Sequence, residues 1–167
     1  MTNTIRSVDN FLSDKECEEV VKYCLYAPYT WGERDMAHLT PTGMIHDVYE
    51  KGDVELTEST QWFYDLFVNK TQEFVSQRPN PNLEVFRLMI NCFAPGENPN
   101  FHQDNYDEDS LTCLYYVPVE SWFLDDGGET QFILNEEMVG VLPFPNRMVY
   151  FDSILMHKAT SFRNRWR

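Results

Sequence analysis

The chain opens on a helix signal and closes on strands. Ser13-Asp14-Lys15-Glu16 places a serine three residues before a glutamate, and Phe11 and Leu12 stand where they can staple a first turn. Cys17, Val20, Val21, Cys24 and Leu25 then recur every three or four positions. That spacing predicts a helix from about Asp14 with one packed face, stopped by Pro28. From Tyr29 to Glu55 the pattern is broken by Gly32, Pro41, Gly43 and Gly52. This stretch reads as a long loop, or as short strands covering a site, and with little regular packing to hold it the expectation is a mobile lid. Helical spacing returns over Thr57 to Gln77 through Trp62, Phe63, Leu66, Phe67, Phe74 and Val75, and Pro79-Asn80-Pro81 closes it. Beyond Pro81 the period shortens to two. Leu83 to Phe93, Leu111 to Val119, Thr130 to Leu134, Met138 to Leu142, Arg147 to Phe151 and a segment around His157 are short, β-branched and aromatic, with turn residues between them. Six strands after two helices predict an α+β, mainly β domain, its barrel or sandwich core supported on one side by the N-terminal helices.

A length of 167 residues, with no internal repeat and no linker, fits one domain over 1–167, with helical support about 1–80 and a β core about 81–167. The 43% hydrophobic and 15% aromatic content excludes a disordered or low-complexity chain. Without a run of ~18 apolar residues or an apolar N-terminal stretch, a soluble cytoplasmic protein with no membrane partner is expected. Cys17, Cys24, Cys92 and Cys113 lie too far apart for a CxxC knuckle and are too few for a disulfide scaffold, so they read as reduced, mostly buried thiols.

Charge alters the picture more. The formal net charge of −14 would repel a phosphate backbone, which argues against nucleic acid as a partner. Eleven Asp or Glu and no Lys or Arg lie between Arg87 and Arg147, whereas the end of the chain carries Arg147, Lys158, Arg163, Arg165 and Arg167 against Asp152 alone. A small anion can find partners in that last stretch; a solvated charged face is the structural alternative.

The candidate chemistry centres on His102 and Asp104. In a strand, residues two apart project from one face, so both can reach one metal ion, and His157 offers a third ligand after several strands have passed. Two histidines and one carboxylate form a facial triad, the set with which non-haem Fe(II) oxygenases leave coordination positions open for a co-substrate and O2. Elsewhere the bland readings win. His46-Asp47 would point apart in a strand and reads as a surface loop, and His38 reads as solvated. Gly127-Gly128 is too short and too acidic in its surroundings to cradle phosphate and reads as a turn, with Asp125, Asp126 and Glu129 a solvated rim rather than a Ca2+ site. Tyr29, Trp31 and Trp122 either shape a substrate entrance or are scattered surface aromatics.

These residues sit in strings that resemble one family. NCFAPGENPNFHQD (91–104) is similar to the "Y-x-P-G … H-x-D" segment of the 2-oxoglutarate and Fe(II)-dependent dioxygenases of the prolyl 4-hydroxylase-like group. In order follow LTCLYYVP (111–118), GGETQF (127–132), P-x-x-x-R-x-x-x-F-D-S … H (143–157) and HKATSFRNRWR (157–167), each resembling a family segment, as does the leading VDNFLSDKECEEVV. The resemblance spans nearly the whole chain. It implies a double-stranded β-helix, or jelly-roll, core, with His102, Asp104 and His157 as Fe(II) ligands. It also implies that Arg167 holds the C5 carboxylate of 2-oxoglutarate, with Arg165 as substitute, that Tyr116 donates its hydroxyl to the same carboxylate, and that Leu114 lines the same face. Phe93 departs from the family's tyrosine and removes one hydroxyl. The family's final strand is not found before Arg167, and a tail completing the barrel is expected. The implied reaction hydroxylates a prolyl or other amino-acid side chain, in a peptide, a protein or a free amino acid. It consumes O2 and 2-oxoglutarate, releases succinate and CO2, and ascorbate rescues oxidised iron. The rivals are a non-catalytic metal-binding barrel acting as an interaction module, a Zn2+ hydrolase on the same ligands and a nucleic-acid demethylase.

Overall fold

The computed structural model describes residues 5–33, 40–78, 81–118, 122–163 and 166. The first helix, α1 (Asp14–Tyr26), begins where the capping box places it: Ser13 Oγ accepts from the Glu16 amide, and the Glu16 carboxylate accepts from the Ser13 amide. Val20 and Cys24 are buried on its inner face, but Leu25, expected on that face, is 71% exposed. The second helix, α2 (Gln61–Ser76), starts later than the periodicity suggests because Thr57 to Thr60 form a separate turn in which Thr60 Oγ1 accepts from the Thr57 amide. It buries Phe63, Phe67 and Phe74.

Strands do not wait for the second half of the chain. β1 (Arg6–Val8), β2 (Thr30–Glu33) and β3 (Gly43–Glu50) precede α2, so the helical segment expected over 1–80 contributes three strands as well. They are followed by β4 (Arg87–Cys92), β5 (Leu111–Tyr116), β6 (Thr130–Leu134), β7 (Glu137–Val141), β8 (Arg147–Asp152) and β9 (His157–Ala159). Three antiparallel sheets result, ordered β1-β8-β5, β2-β3-β4 and β7-β6-β9. Of the two readings of Tyr29 to Glu55, long loop or short strands, the strands hold where the stretch is described: it is largely β2 and β3, paired with each other and with β4; residues 34–39 of it lie outside the described residues.

The chain alternates between the first and third of these sheets: β5 lies in the first, β6 and β7 in the third, β8 back in the first and β9 back in the third. A two-residue loop with Asn135 at φ 51° and Glu136 at φ 67° makes the β6–β7 hairpin. β8 is covered on both faces. Its Met148 joins the cluster formed with α1 and α2, while Val149 and Phe151 join Tyr116, Phe132 and Leu155 between the sheets. Among the described residues the architecture is mainly β with two α-helices, consistent with a β-sandwich or jelly-roll fold. Asn146 fastens the helical layer to β8: its Oδ1 accepts from the Leu12 amide at 2.9 Å and its Nδ2 donates to the Leu12 carbonyl at 2.8 Å. Among the described residues no helix is long and apolar enough to cross a membrane.

Candidate metal centre

His102 and His157 are joined through their backbones. Each amide donates to the other's carbonyl at 2.9 Å, an isolated antiparallel bridge that holds the two side chains together although 55 residues separate them. The Asp104 amide donates to the Ser153 carbonyl at 3.0 Å, which ties the third residue to the turn leading into β9. The ligand atoms of His102, Asp104 and His157 all lie within 4.8 Å of one another. Among the described residues no other group of three or more His, Cys, Asp or Glu side chains is placed to share an ion.

The histidine tautomers follow from their partners. His102 Nδ1 lies 3.0 Å from the Asn100 carbonyl and His157 Nδ1 lies 2.8 Å from the Leu155 carbonyl. A carbonyl only accepts, so each Nδ1 carries the proton, and each neutral ring turns an Nε2 lone pair inward. Asp104 Oδ1 is 3.5 Å from His102 Nε2, and Oδ2 is 3.5 Å from His157 Nε2, too long for strong hydrogen bonds. Two imidazole nitrogens and a carboxylate therefore face one space, a set of ligand atoms suited to a cation. Backbone anchoring of both Nδ1–H groups is the outer support that metal-bound histidines need. Imidazole and carboxylate ligands suit Fe(II), and the donor set fits it.

The walls differ in polarity. Phe132 and Phe151, both essentially unexposed, pack on the His157 ring with centroids at 5.8 and 4.8 Å, while 27% of the Asp104 side chain remains open to solvent. Burial pushes the Asp104 carboxyl upward, but the two histidines, which in their protonated forms hydrogen-bond to it from His102 and attract it from His157, together with the Thr112 hydroxyl, hold its pKa below the ordinary carboxylate value. It is thus ionised at neutral pH, as a ligand must be.

β5 supplies the next row. Tyr116 is buried and its hydroxyl donates to Thr130 Oγ1 at 2.7 Å; Leu114 packs on the same inter-sheet cluster, so both share the inner face as the period-two pattern predicts. Arg165 and Arg167 lie outside the described residues, as does His38. Lys158, next to His157, places Nζ 5.0 Å from the Phe101 ring centroid and 3.5 Å from Asn98 Oδ1. Phe93, in place of the family's tyrosine, is buried with its ring against Gly43, where a Cβ would come within 2.7 Å.

Two residues escaped the sequence reading. Thr112 Oγ1 stands 2.7 Å from Asp104 Oδ2 and 2.8 Å from Ser153 Oγ. The signal for Thr112 was available: it is two residues before Leu114 and four before Tyr116, hence on the same face. Ser153 stands in the F-D-S string, but no shared strand face links it to the triad, because it lies on the turn past β8.

The remaining candidates are placed elsewhere. His46 is in a strand rather than a surface loop, with its Nε2 2.9 Å from the Tyr23 hydroxyl, and Asp47 turns away to Arg87 at 2.7 Å. Asp126 caps its own turn by accepting from the Phe123 amide, Glu129 accepts from Gln131 Nε2, and Gly127 and Gly128 adopt the positive φ of a turn. Tyr29 packs edge-on to His46, Trp31 is 59% exposed, and Trp122 donates from Nε1 to the Gly127 carbonyl.

No family model and no curated protein matches the chain. Solved structures do. It aligns with a prolyl-4-hydroxylase of Pseudomonas putida at 18% identity and a TM-score of 0.69, covering 99% of this chain and 89% of that one. A prolyl hydroxylase from Trichoplax adhaerens, solved with a hypoxia inducible factor oxygen degradation domain peptide fragment, aligns at 20% identity and a TM-score of 0.75 over 99% and 81% of the two chains. A 2OG-Fe(II) oxygenase family oxidoreductase from Burkholderia pseudomallei gives 11% identity and a TM-score of 0.73 over 98% and 81%. The chain has the prolyl hydroxylase fold. At these identities the likeness is one of fold, and the bearing of that fold on chemistry rests on the side chains described above.

Proposed function

We propose that this protein is a non-haem Fe(II) and 2-oxoglutarate-dependent dioxygenase built on a double-stranded β-helix, which hydroxylates a prolyl or other amino-acid side chain and releases succinate and CO2. The observation that carries this reading is the convergence of two Nε2 lone pairs and an ionised carboxylate on one space, within 4.8 Å. When bound there, Fe(II) supplies the redox chemistry that joins O2, 2-oxoglutarate and a C–H bond, which no side chain can supply. The protein's share is orientation and exclusion of water. His102, Asp104 and His157 hold the ion, and Phe132 and Phe151 keep the His157 side of the pocket dry.

For the co-substrate, Arg167 is assigned to the C5 carboxylate of 2-oxoglutarate, with Arg165, two residues earlier in the sequence, the alternative. A guanidinium keeps its charge and binds a carboxylate through two parallel bonds. Tyr116 and Leu114 are assigned to the inner wall beside it, with the Tyr116 hydroxyl able to leave Thr130 for the carboxylate. Ascorbate would return oxidised iron to Fe(II). A peptide is the favoured form of substrate, in keeping with the peptide held by the Trichoplax relative in fold.

The test is 2-oxoglutarate turnover, read as succinate, with Fe(II) and proline-containing peptides. Asp104→Ala should abolish both turnover and tight Fe(II) binding. Arg167→Ala should weaken 2-oxoglutarate binding, measured by calorimetry with Mn(II) in place of iron, by about 3–5 kcal/mol and leave metal affinity nearly intact, because a buried carboxylate loses its partner. Loss in Arg165→Ala instead would move the anchor by one strand register. A protein whose Asp104→Ala variant binds Fe(II) as tightly as the parent would overturn the metal assignment, and with it the reaction.

A further inference from the structure

We infer that Thr112, backed by Ser153, is a positioning residue that fixes the Asp104 carboxylate for the metal. The inference rests on the Fe(II) reading of the triad. A serine or threonine hydroxyl has one proton and two lone pairs. Thr112 Oγ1 is within hydrogen-bond distance of two oxygens, Asp104 Oδ2 at 2.7 Å and Ser153 Oγ at 2.8 Å. The ionised carboxylate only accepts and carries the charge, so the single Thr112 proton goes to Oδ2 in preference to Ser153 Oγ, the other acceptor in its reach.

The backbone repeats the same connection. The Ser153 amide donates to the Ser110 carbonyl at 3.2 Å, and the Ser153 carbonyl accepts from the Asp104 amide at 3.0 Å. Ser153, 3% exposed, thus holds the Asp104 main chain directly, and its Oγ lies against Thr112, which holds the carboxylate. That second hold matters because the terminal torsion of an aspartate is broad and has no sharp minimum of its own. Asp104 follows Gln103 in a segment outside the named strands, and its side chain is the most open of the three. His102 and His157 each have a backbone carbonyl on the far nitrogen to set the ring; Thr112 gives the carboxylate the equivalent partner. A charge-assisted bond to Oδ2 also leaves Oδ1, the oxygen beside His102, without a donor from Thr112.

Thr112→Val keeps the shape and the strand preference but removes the hydroxyl; Thr112→Ser keeps the hydroxyl. Calorimetry with Mn(II) alone should show Thr112→Val losing about 10–100-fold in affinity, the range typical of outer-shell partners. Thr112→Ser should stay within about threefold of the parent, since the donor is retained. The visible absorption of the Co(II)-loaded protein should change in Thr112→Val and be restored in Thr112→Ser, which a packing defect would not do. Ser153→Ala should lose a smaller factor in the same direction and serves as the reading if Thr112→Val does not fold. Unchanged Mn(II) affinity and Co(II) spectrum in folded Thr112→Val, equal loss in Thr112→Val and Thr112→Ser, or an unchanged Ser153→Ala where Thr112→Val does not fold would each overturn the inference. These outcomes presuppose a parent whose Mn(II) binding depends on Asp104; its absence in the parent overturns the metal reading itself, and this inference with it.

Discussion

Gly128 has φ 84°, and a Cβ built on it would overlap the ring of Phe162, which is 4% exposed and cannot swing into solvent. Its neighbour Gly127 has φ 73° and nothing nearer to such a Cβ than the Ser161 carbonyl at 3.6 Å. Gly127→Ala therefore carries only the backbone penalty of a left-handed residue, about 1–2 kcal/mol. Gly128→Ala adds overpacking worth about 1–3 kcal/mol more, so it should unfold at clearly lower denaturant than Gly127→Ala. Equal midpoints for the two variants would contradict this account. At this scale the sequence was legible in residue type but not in pairing. The double glycine announces a turn, whereas which glycine is indispensable depends on a phenylalanine 34 residues away. The triad was legible because HxD projects from one face; Thr112 stayed hidden because a threonine in a strand is ordinary until Asp104 is seen beside it.

The segment from Tyr29 to Glu55 shows the same limit for an element. β3 buries Gly43, Ile45 and Val48, a spacing that drops out of period two because the pairing with β4 shifts between Asp47 and Tyr49. A bulge of this kind erases the alternation on which strand reading depends. Glycine at position 43, read along the chain as a breaker, is required by the Phe93 ring lying over it. The lid expectation therefore gives way to a paired central strand: β3 is bonded on both sides, by β2 and β4. In the metal-free protein, amide exchange should be slow across Ile45 to Val48 and fast at the Lys51 to Asp53 turn beyond it. Uniformly fast exchange from Gly43 to Glu50 would restore the lid. The helices, by contrast, were readable almost to the residue at the N-terminus of α1, since a capping box is a local device whose partners are three residues apart.

At the scale of the whole molecule, the strands that carry the site are interleaved rather than sequential. β5 pairs with β8 and β6 pairs with β9, so the order of strands was legible while their partners were not: many pairings satisfy the same alternation. The interleaving has an energetic consequence. His102 lies on the segment before β5 and His157 opens β9, so an ion held by both, with Asp104, closes a loop that contains β5, β6, β7 and β8. In the unfolded chain these ligands are dispersed, and the ion has no comparable site there. Binding to the folded state alone adds about 2.7 kcal/mol at a ligand concentration one hundred times Kd. For a domain of this size, that corresponds to a rise of about 5–10 °C in Tm. Mn(II) should therefore raise the unfolding temperature, 2-oxoglutarate added with Mn(II) should raise it further, and EDTA should cancel both. 2-oxoglutarate without metal should do little, because a dianion approaching a chain of net charge −14 gains most of its affinity from the ion. Asp104→Ala should be insensitive to every addition. A rise of equal size in that variant would mean that the ion stabilises the protein from somewhere other than the triad.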